Sequence, residues 1–242
     1  YLYKNFPSVF VSPSEIDVTK RITEGNDLVF HSQSANLEGV EYIYSNPGFR
    51  GKVDISGVKS QHYSMSYVKP SAGVSSFSIS NIDTPYRMDL SSASSLKVLR
   101  VENNSSLQSV IVPSVILNDD VSETSIFDSE IYISCCSSLK NVTLQTGDSG
   151  NMIGKLHFAN LSALDYLDVS AVEAVNTVVL TDVNLGIGSM LLPSELTVFL
   201  DGTGRFSSTS QIALCIDHPK ASSFKEYCKD VADVIDVSFF YK

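Results

Sequence analysis

The sequence predicts a mainly β chain: a right-handed solenoid of ~22-residue coils with parallel strands, closed at its C-terminal end by an amphipathic helix. Three observations predict it. A hexamer, apolar-x-x-apolar-x-apolar, recurs in phase along much of the 242 residues. The stretches between hexamers are filled with Ser, Asn, Asp and Gly, which suit tight turns. Near the C terminus a strand-like run is followed by a proline and then by apolar residues at helical spacing.

The hexamers define the elements. The clearest are Leu96-Lys-Val-Leu99-Arg-Val101, Leu107-Gln-Ser-Val110-Ile-Val112 and Leu139-Lys-Asn-Val142-Thr-Leu144, followed by Ile153/Leu156/Phe158, Leu164/Leu167/Val169 and Val175/Val178/Leu180. Weaker members are Val74/Phe77/Ile79, Pro85/Met88/Leu90, Asp128/Ile131/Ile133 and Ile187/Met190/Leu192. In a chain that is 43% apolar one hexamer means little; the phase carries the inference. Most steps are 11 or 12 residues. The 21-residue step after Leu107 reads as one skipped beat filled by the polar stretch Asn118–Ser129, and the 14-residue step after Leu139 as an insertion around Gly147–Gly150.

An eleven-residue unit supplies a short strand and a turn. Its last two apolar positions alternate onto one side, and its first tucks in from the turn before. Such a strand cannot bury its apolar face alone, so two units make a coil and stacked coils share a core. An antiparallel sandwich also spaces strands by 8–12 residues; the conserved spacing within the hexamer favours the solenoid. Leu37/Val40/Tyr42 and Arg50/Val53/Ile55 read as worn repeats, and Val9-Phe10-Val11 and Leu28-Val29-Phe30 as strands. The expected organisation is residues 1–35 as an N-terminal cap or the end of a preceding domain, 36–210 as the solenoid and 211–242 as a strand–helix cap. In that cap Pro219 stands near a helix start, Ser222 or Ser223 can cap it, and Phe224, Tyr227, Cys228, Val231 and Ile235 form the apolar stripe. Covering the open end of a stack of coils is its expected task.

Two segments, Cys136-Ser-Ser-Leu139-Lys-Asn-Val142-Thr-Leu144 and Asn104-Ser-Ser-Leu107-Gln-Ser-Val110-Ile-Val112-Pro113, resemble the repeat of BspA-like bacterial leucine-rich-repeat proteins. There a Cys or Asn, two small polar residues and a Leu introduce the strand. Asn160-Leu-Ser-Ala-Leu164-Asp-Tyr-Leu167-Asp-Val169-Ser170 is similar to the repeats of Bacteroidetes surface proteins and internalin-type adhesins. Ile212-Ala-Leu214-Cys-Ile216-Asp-His-Pro219 with the stripe after it looks like the unit that closes BspA-like arrays. The resemblance spans roughly residues 70–236 and is degenerate: an Asn after the strand fits cleanly only at Asn104, and the Ala-Phe turn of the BspA repeat is missing. It implies a surface or secreted protein that binds protein or glycan.

Composition narrows the function. Seventeen Lys+Arg against 27 Asp+Glu give a net charge of −10, which argues against nucleic acid and anionic membrane surfaces as partners. Charged residues reach only 18%, and 40 serines fill the gap. No apolar run is long enough to span a bilayer. The chain starts at Tyr1 without a signal peptide and reads as a processed or partial chain. Four cysteines do not make a disulfide scaffold; Cys215 and Cys228 can pair in an oxidising compartment. Scattered histidines and the absence of Cys-x-x-Cys argue against a metal site, and no cofactor is expected.

Motifs of catalysis are weak. Gly147-Asp148-Ser149-Gly150 lacks a partner His in the right order and reads as a turn. Asp165 and Asp168 are the best acids for a polysaccharide-degrading β-helix enzyme, but one coil away the corresponding slots hold Thr143, Gly188 and Met190. Gly202-Thr-Gly204-Arg205 reads as a turn, and the acidic group Asp119, Asp120, Glu123, Asp128 and Glu130 as a solvated insertion without calcium-loop spacing. Asn103, Asn104, Asn141 and Asn160 stand in N-x-[ST] sequons. What remains is a surface: Arg100, Lys140, Thr143, Asp165, Tyr166, Asp168 and Thr177 occupy exposed strand slots. The expectation is a non-enzymatic recognition or adhesion module, extracellular or on a cell surface including the outer membrane. A structural subunit of an outer-membrane, extracellular or virion assembly is the alternative.

Overall fold

The computed structural model describes residues 1–31, 37–57, 67–82, 85–113, 129–145 and 151–168, with further strands at 172–183, 189–191, 197–198, 211–215 and 236–240. From Tyr166 onward, and at Asn151, Met152 and Gly154, the description is of backbone alone. The chain is mainly β, with parallel sheets and few helices. It opens with α1 (Leu2–Asn5), a 3-10 turn at Pro7–Val9 and an antiparallel hairpin of β1 (Phe10–Ser12) and β2 (Glu15–Ile16).

Every later pairing among the described residues is parallel, in two sheets. The longer runs, in spatial order, through β3 (Leu28–Phe30), β4 (Gly51–Ser56), β6 (Val74–Ser80), β8 (Val98–Glu102), β10 (Glu130–Ser134), β12 (Asn151–Leu161), β14 (Val172–Val183), β17 (Gln211–Cys215) and β18 (Asp236–Phe240), with β16 (Thr197–Val198) also on β14. The shorter runs through β5 (Tyr67–Val68), β7 (Arg87–Asp89), β9 (Ser109–Val112), β11 (Asn141–Leu144), β13 (Tyr166–Asp168) and β15 (Ser189–Leu191). From β4 to β15 the chain alternates strictly between them. Within this stretch neighbours in a sheet are therefore never neighbours in sequence, which leaves room for the crossovers that parallel pairing requires. An antiparallel sandwich is excluded by these pairings.

The hexamer phase is the register of the sheets. On the longer sheet Val53, Phe77, Leu99, Ile131 and Leu156 stand side by side, with Val178, Ile212 and Val237 next in line. Ile55, Ile79, Val101, Ile133 and Phe158 form the parallel row two residues on. On the shorter sheet Val68, Met88, Val110 and Val142 align, continued by Leu167 and Met190. All members with described side chains are buried, and the inward residues of both sheets belong to one hydrophobic cluster. Burying each such side chain contributes about 1.5–3 kcal/mol, which no isolated strand could gain.

Two expectations about the repeat change. No beat is skipped after Leu107: β10 pairs directly with β8, and β11 with β9, so the 21-residue step is one ordinary crossover enlarged between strands. Leu37/Val40/Tyr42 is not a strand. Leu37, Val40, Ile43 and Tyr44 are buried at helical spacing, Val40–Tyr44 forms α2, and Tyr42 is exposed. In the chain α2 lies between β3 and β4, where later intervals of the longer sheet carry a strand of the shorter one.

A recurrent turn follows the strands of the longer sheet. Asn81, Asn103, Cys135 and Asn160 have φ of 53–54° and Gly57 has φ 62°, all one residue beyond the aligned positions Ser56, Ser80, Glu102, Ser134 and Ala159. This left-handed conformation favours Gly and Asn; it ends β4, β6, β8 and β10, while in β12 it falls one residue before the last, Leu161. The next residue points in: Ile82, Asn104, Cys136 and Leu161 are all buried. The Asn104 amide donates to the Ile79 carbonyl at 3.3 Å, while its oxygen accepts from the Ile82 N–H at 3.1 Å. At the equivalent place after the neighbouring strand β10, the Asn104 backbone hydrogen-bonds the Cys136 sulfur, and burial pushes the Cys136 thiol pKa up to about 11. A buried acceptor explains why Asn and Cys exchange at this position.

The N-terminal segment is built onto the same core. Phe6, Val9, Ile22 and Leu28 join the central cluster. Asn46 ties the segment to the end of α2, accepting from Ile22 and Gly48 N–H groups and donating to the Lys20 carbonyl at 2.8 Å. Strand β3 is the sheet edge, and its Val29 N–H donates to the Tyr1 hydroxyl at 3.0 Å, which blunts that edge. At the other end β17 covers the expected strand Ile212–Leu214, while the apolar stripe from Phe224 to Ile235 lies outside the described residues. Strand β18 extends the sheet past it, with Val237 and Phe239 opposite Ile212 and Leu214. Among the described residues no helix is long and apolar enough to cross a membrane.

Candidate functional site

The core-facing positions leave two outward faces, one per sheet, pointing away from each other because their inner sides share the core. On the shorter sheet the second and third hexamer positions become adjacent rows. The first is Tyr86, Gln108, Lys140 and Asp165. Each backbone N–H donates to the carbonyl of the residue before it in the row, at 2.8, 2.9 and 2.9 Å, and all four residues are exposed. The second is Tyr67, Arg87, Ser109 and Asn141, with Tyr166 next in register. A third holds Asp89, Ile111 and Thr143, with Asp168 next. Parallel pairing spaces members of a row by about 4.8 Å.

One end of this face is preorganised. The Arg87 guanidinium lies 5.6 Å from the centre of the Tyr67 ring, and the Tyr67 hydroxyl donates to Asp89 at 2.8 Å. Burial pushes the Asp89 carboxyl up, but hydrogen bonds from Ser91 and Tyr67 outweigh it and the net shift is downward. The same bond to Asp89 raises the Tyr67 phenol, with burial and the carboxylate charge adding to it. Toward the other end Lys140 and Asp165 make no ion pair among the described residues.

The outward face of the longer sheet is bound to itself. Glu130 accepts from Arg100 Nε and Nη2 at 2.9 and 2.6 Å and lies 3.5 Å from Lys155 Nζ. The Tyr132 and His157 rings, in register on β10 and β12, meet at 4.4 Å between centres with their planes tilted by 46°. Farther along, His31 Nε2 lies 2.9 Å from an Asp54 carboxylate oxygen. Desolvation lowers the His157 pKa, Lys155 adds to the shift and Glu130 opposes it.

The structure thus splits the seven expected surface residues. Lys140, Thr143, Asp165, Tyr166 and Asp168 fall on the shorter sheet and the turns leading into it; Arg100 and Thr177 lie on the longer sheet, and Arg100 is engaged by Glu130. Asp168 stands beside Thr143 and Leu191 in register, and Met190 beside Leu167. Tyr67, Tyr86, Arg87, Gln108 and Asn141 were not among the expected residues. Carrying the second and third hexamer positions through Pro85, Leu107 and Leu139 finds four of them; Tyr67 was hidden because β5 is two residues long.

The remaining motifs are placed as follows. Glu130 belongs to β10 rather than to an acidic loop, and residues 119, 120, 123 and 128 lie outside the described residues, as do 147–150 and 202–205. Among the described residues no group of three or more His, Cys, Asp or Glu is arranged to hold a metal ion. Cys135 and Cys136 are free thiols; the Cys215–Cys228 pair falls outside the described side chains. Of the sequons, Asn104 is fully buried while Asn103, Asn141 and Asn160 are exposed. Comparison with family models, with curated proteins and with solved structures found no match for this chain.

Proposed function

We propose that the chain is a leucine-rich-repeat-like solenoid acting as a non-enzymatic recognition or adhesion module, extracellular or at a cell surface, which binds protein or glycan through the outward face of the shorter sheet. The observation that carries this reading is the exposed row Tyr86–Gln108–Lys140–Asp165 beside Tyr67–Arg87–Ser109–Asn141. It offers aromatic platforms, an amide, a cation and an acid at a regular spacing on a rigid sheet. Tyrosine supplies contact area at small entropic cost, and flanking polar groups supply direction. The strict alternation between two parallel sheets and the likeness of the Asn104 and Cys136 turns to BspA-type repeats support the solenoid.

The test is to screen the full chain on glycan arrays and against purified surface proteins, then repeat any hit with Tyr86→Ala/Lys140→Ala and with Tyr132→Ala on the opposite face. The reading requires a loss of tenfold or more for the first variant and none for the second. Binding that ignores the first variant overturns it. So does stoichiometric co-purification with subunits that bury this face, which would make the chain an assembly component.

A further inference from the structure

A cluster of exposed aromatic side chains lies elsewhere, at the N-terminal end. A groove of about 720 Å³ opens between α1, the β1–β2 hairpin and the entry to α2. Five aromatic rings line it: Tyr1, Tyr3, Phe10, Phe30 and Tyr42. Tyr1, Tyr3 and Tyr42 are 54%, 45% and 48% exposed, although large apolar side chains elsewhere in the fold are mostly buried. Pairs of rings are already braced: Tyr1 meets Phe30 edge-on at 4.6 Å, and Tyr3 meets Phe10 at 5.6 Å. Gly39 forms part of the wall with φ 82°, and a side chain there would meet Ile16 Cδ1 at 2.8 Å.

The side chains of the lining carry charge of one sign. Glu15 and Glu38 are its only ionisable side chains other than tyrosine; no Lys, Arg or His lines it. Glu15 is exposed and makes no ion pair among the described residues. Aromatic faces beside a carboxylate attract a cation, and the apolar rim suits the methylene stem of a long basic side chain. The fold already uses this contact on another face, where Arg87 lies over Tyr67. The protein's charge of −10 draws a basic partner in and disfavours a second copy of itself.

We propose that this groove docks a basic peptide segment of a partner protein, laying a Lys or Arg side chain across the tyrosine rings with its cation against Glu15. This site is separate from the shorter-sheet face and does not depend on it.

Titration of the full chain with acetylated, amidated tetra-arginine, tetralysine and tetraglutamate, and with cellotetraose, followed by NMR, tests the proposal. The basic peptides should perturb Tyr3, Glu15 and Tyr42, and binding should weaken as salt rises. Glu15→Gln and Tyr42→Ala should each weaken binding, the latter by up to roughly tenfold. Tyr86→Ala should leave it unchanged. Thermal melts of the variants establish that they fold, and Tyr42→Phe, which keeps the ring, should retain binding. Equal binding by tetraglutamate, binding by cellotetraose alone, perturbations insensitive to both groove variants, or self-association through Tyr42 would each overturn it.

Discussion

At the scale of the residue, the position after each left-handed turn shows how one side chain joins neighbouring segments of the fold. Asn104 is polar, wholly buried and satisfied on both sides, so its place in the core is held by hydrogen bonds rather than by hydrophobicity. His157 illustrates the opposite bargain. Its ring is partly desolvated against Tyr132, beside Lys155, and its pKa lies below the ordinary 6.5. Between the folded and unfolded values the unfolded chain binds more protons, so this contribution to stability is complete above about pH 6.5 and is lost as the pH falls through the folded value. Urea denaturation from pH 8 to pH 5 should show wild-type stability falling below that point, with a shallower fall for His157→Gln. The lowered carboxyls of Asp17, Glu24 and Asp89 titrate at more acidic pH, and Glu41, raised by burial, acts with the opposite sign in both proteins.

At the scale of the element, the turn after each long-sheet strand depends on residues tolerating positive φ. Asn103→Ala should cost about 1 kcal/mol, because alanine gains no local hydrogen bond in the left-handed region. Cys135→Gly should instead stabilise by roughly 0.5 kcal/mol, since Cys135 is exposed, carries the same strain, and gives up only the long bond, 3.7 Å, that its sulfur accepts from Asn160 Nδ2. Chemical denaturation midpoints at constant slope would measure both; equal effects of the two substitutions would contradict the argument. Strand β10 is pinned differently, by Glu130 between Arg100 and Lys155 across three adjacent strands. That arrangement also removes Arg100 from the set of residues free to meet a ligand.

At the scale of the whole molecule, two units make one step along each sheet: 22 residues separate Phe77 from its neighbour Leu99. Excising residues 76–97, which joins Ser75 to Val98, should therefore leave a shorter folded array with retained β circular dichroism and a cooperative melt. Excising 76–86 should not, because an eleven-residue cut delivers a shorter-sheet strand to the longer sheet and breaks every later pairing. Limited proteolysis would separate the two outcomes. A longer insertion costs little by comparison, since loop closure grows only slowly with length, and the enlarged crossover between β9 and β10 leaves both flanking pairings direct.

Much of this was legible in the chain. The hexamer phase determined which residues face inward, because strand alternation and burial act locally on the pattern: Leu99, Val110 and Val142 are fully buried, with Leu167 and Val178 next in register. The same phase located Lys140 and Asp165 on an exposed face. Only the tertiary structure decided that successive hexamers belong to different sheets, since alternation fixes which side of a strand is buried but not which strand lies beside it. That assignment separated Arg100 and Thr177 from the other candidates, turned a skipped beat into a wide crossover, and made Leu37/Val40 part of a helical entry. It also formed the aromatic groove, whose rings come from α1 and the residue before it, two strands and α2, and share no sequence period.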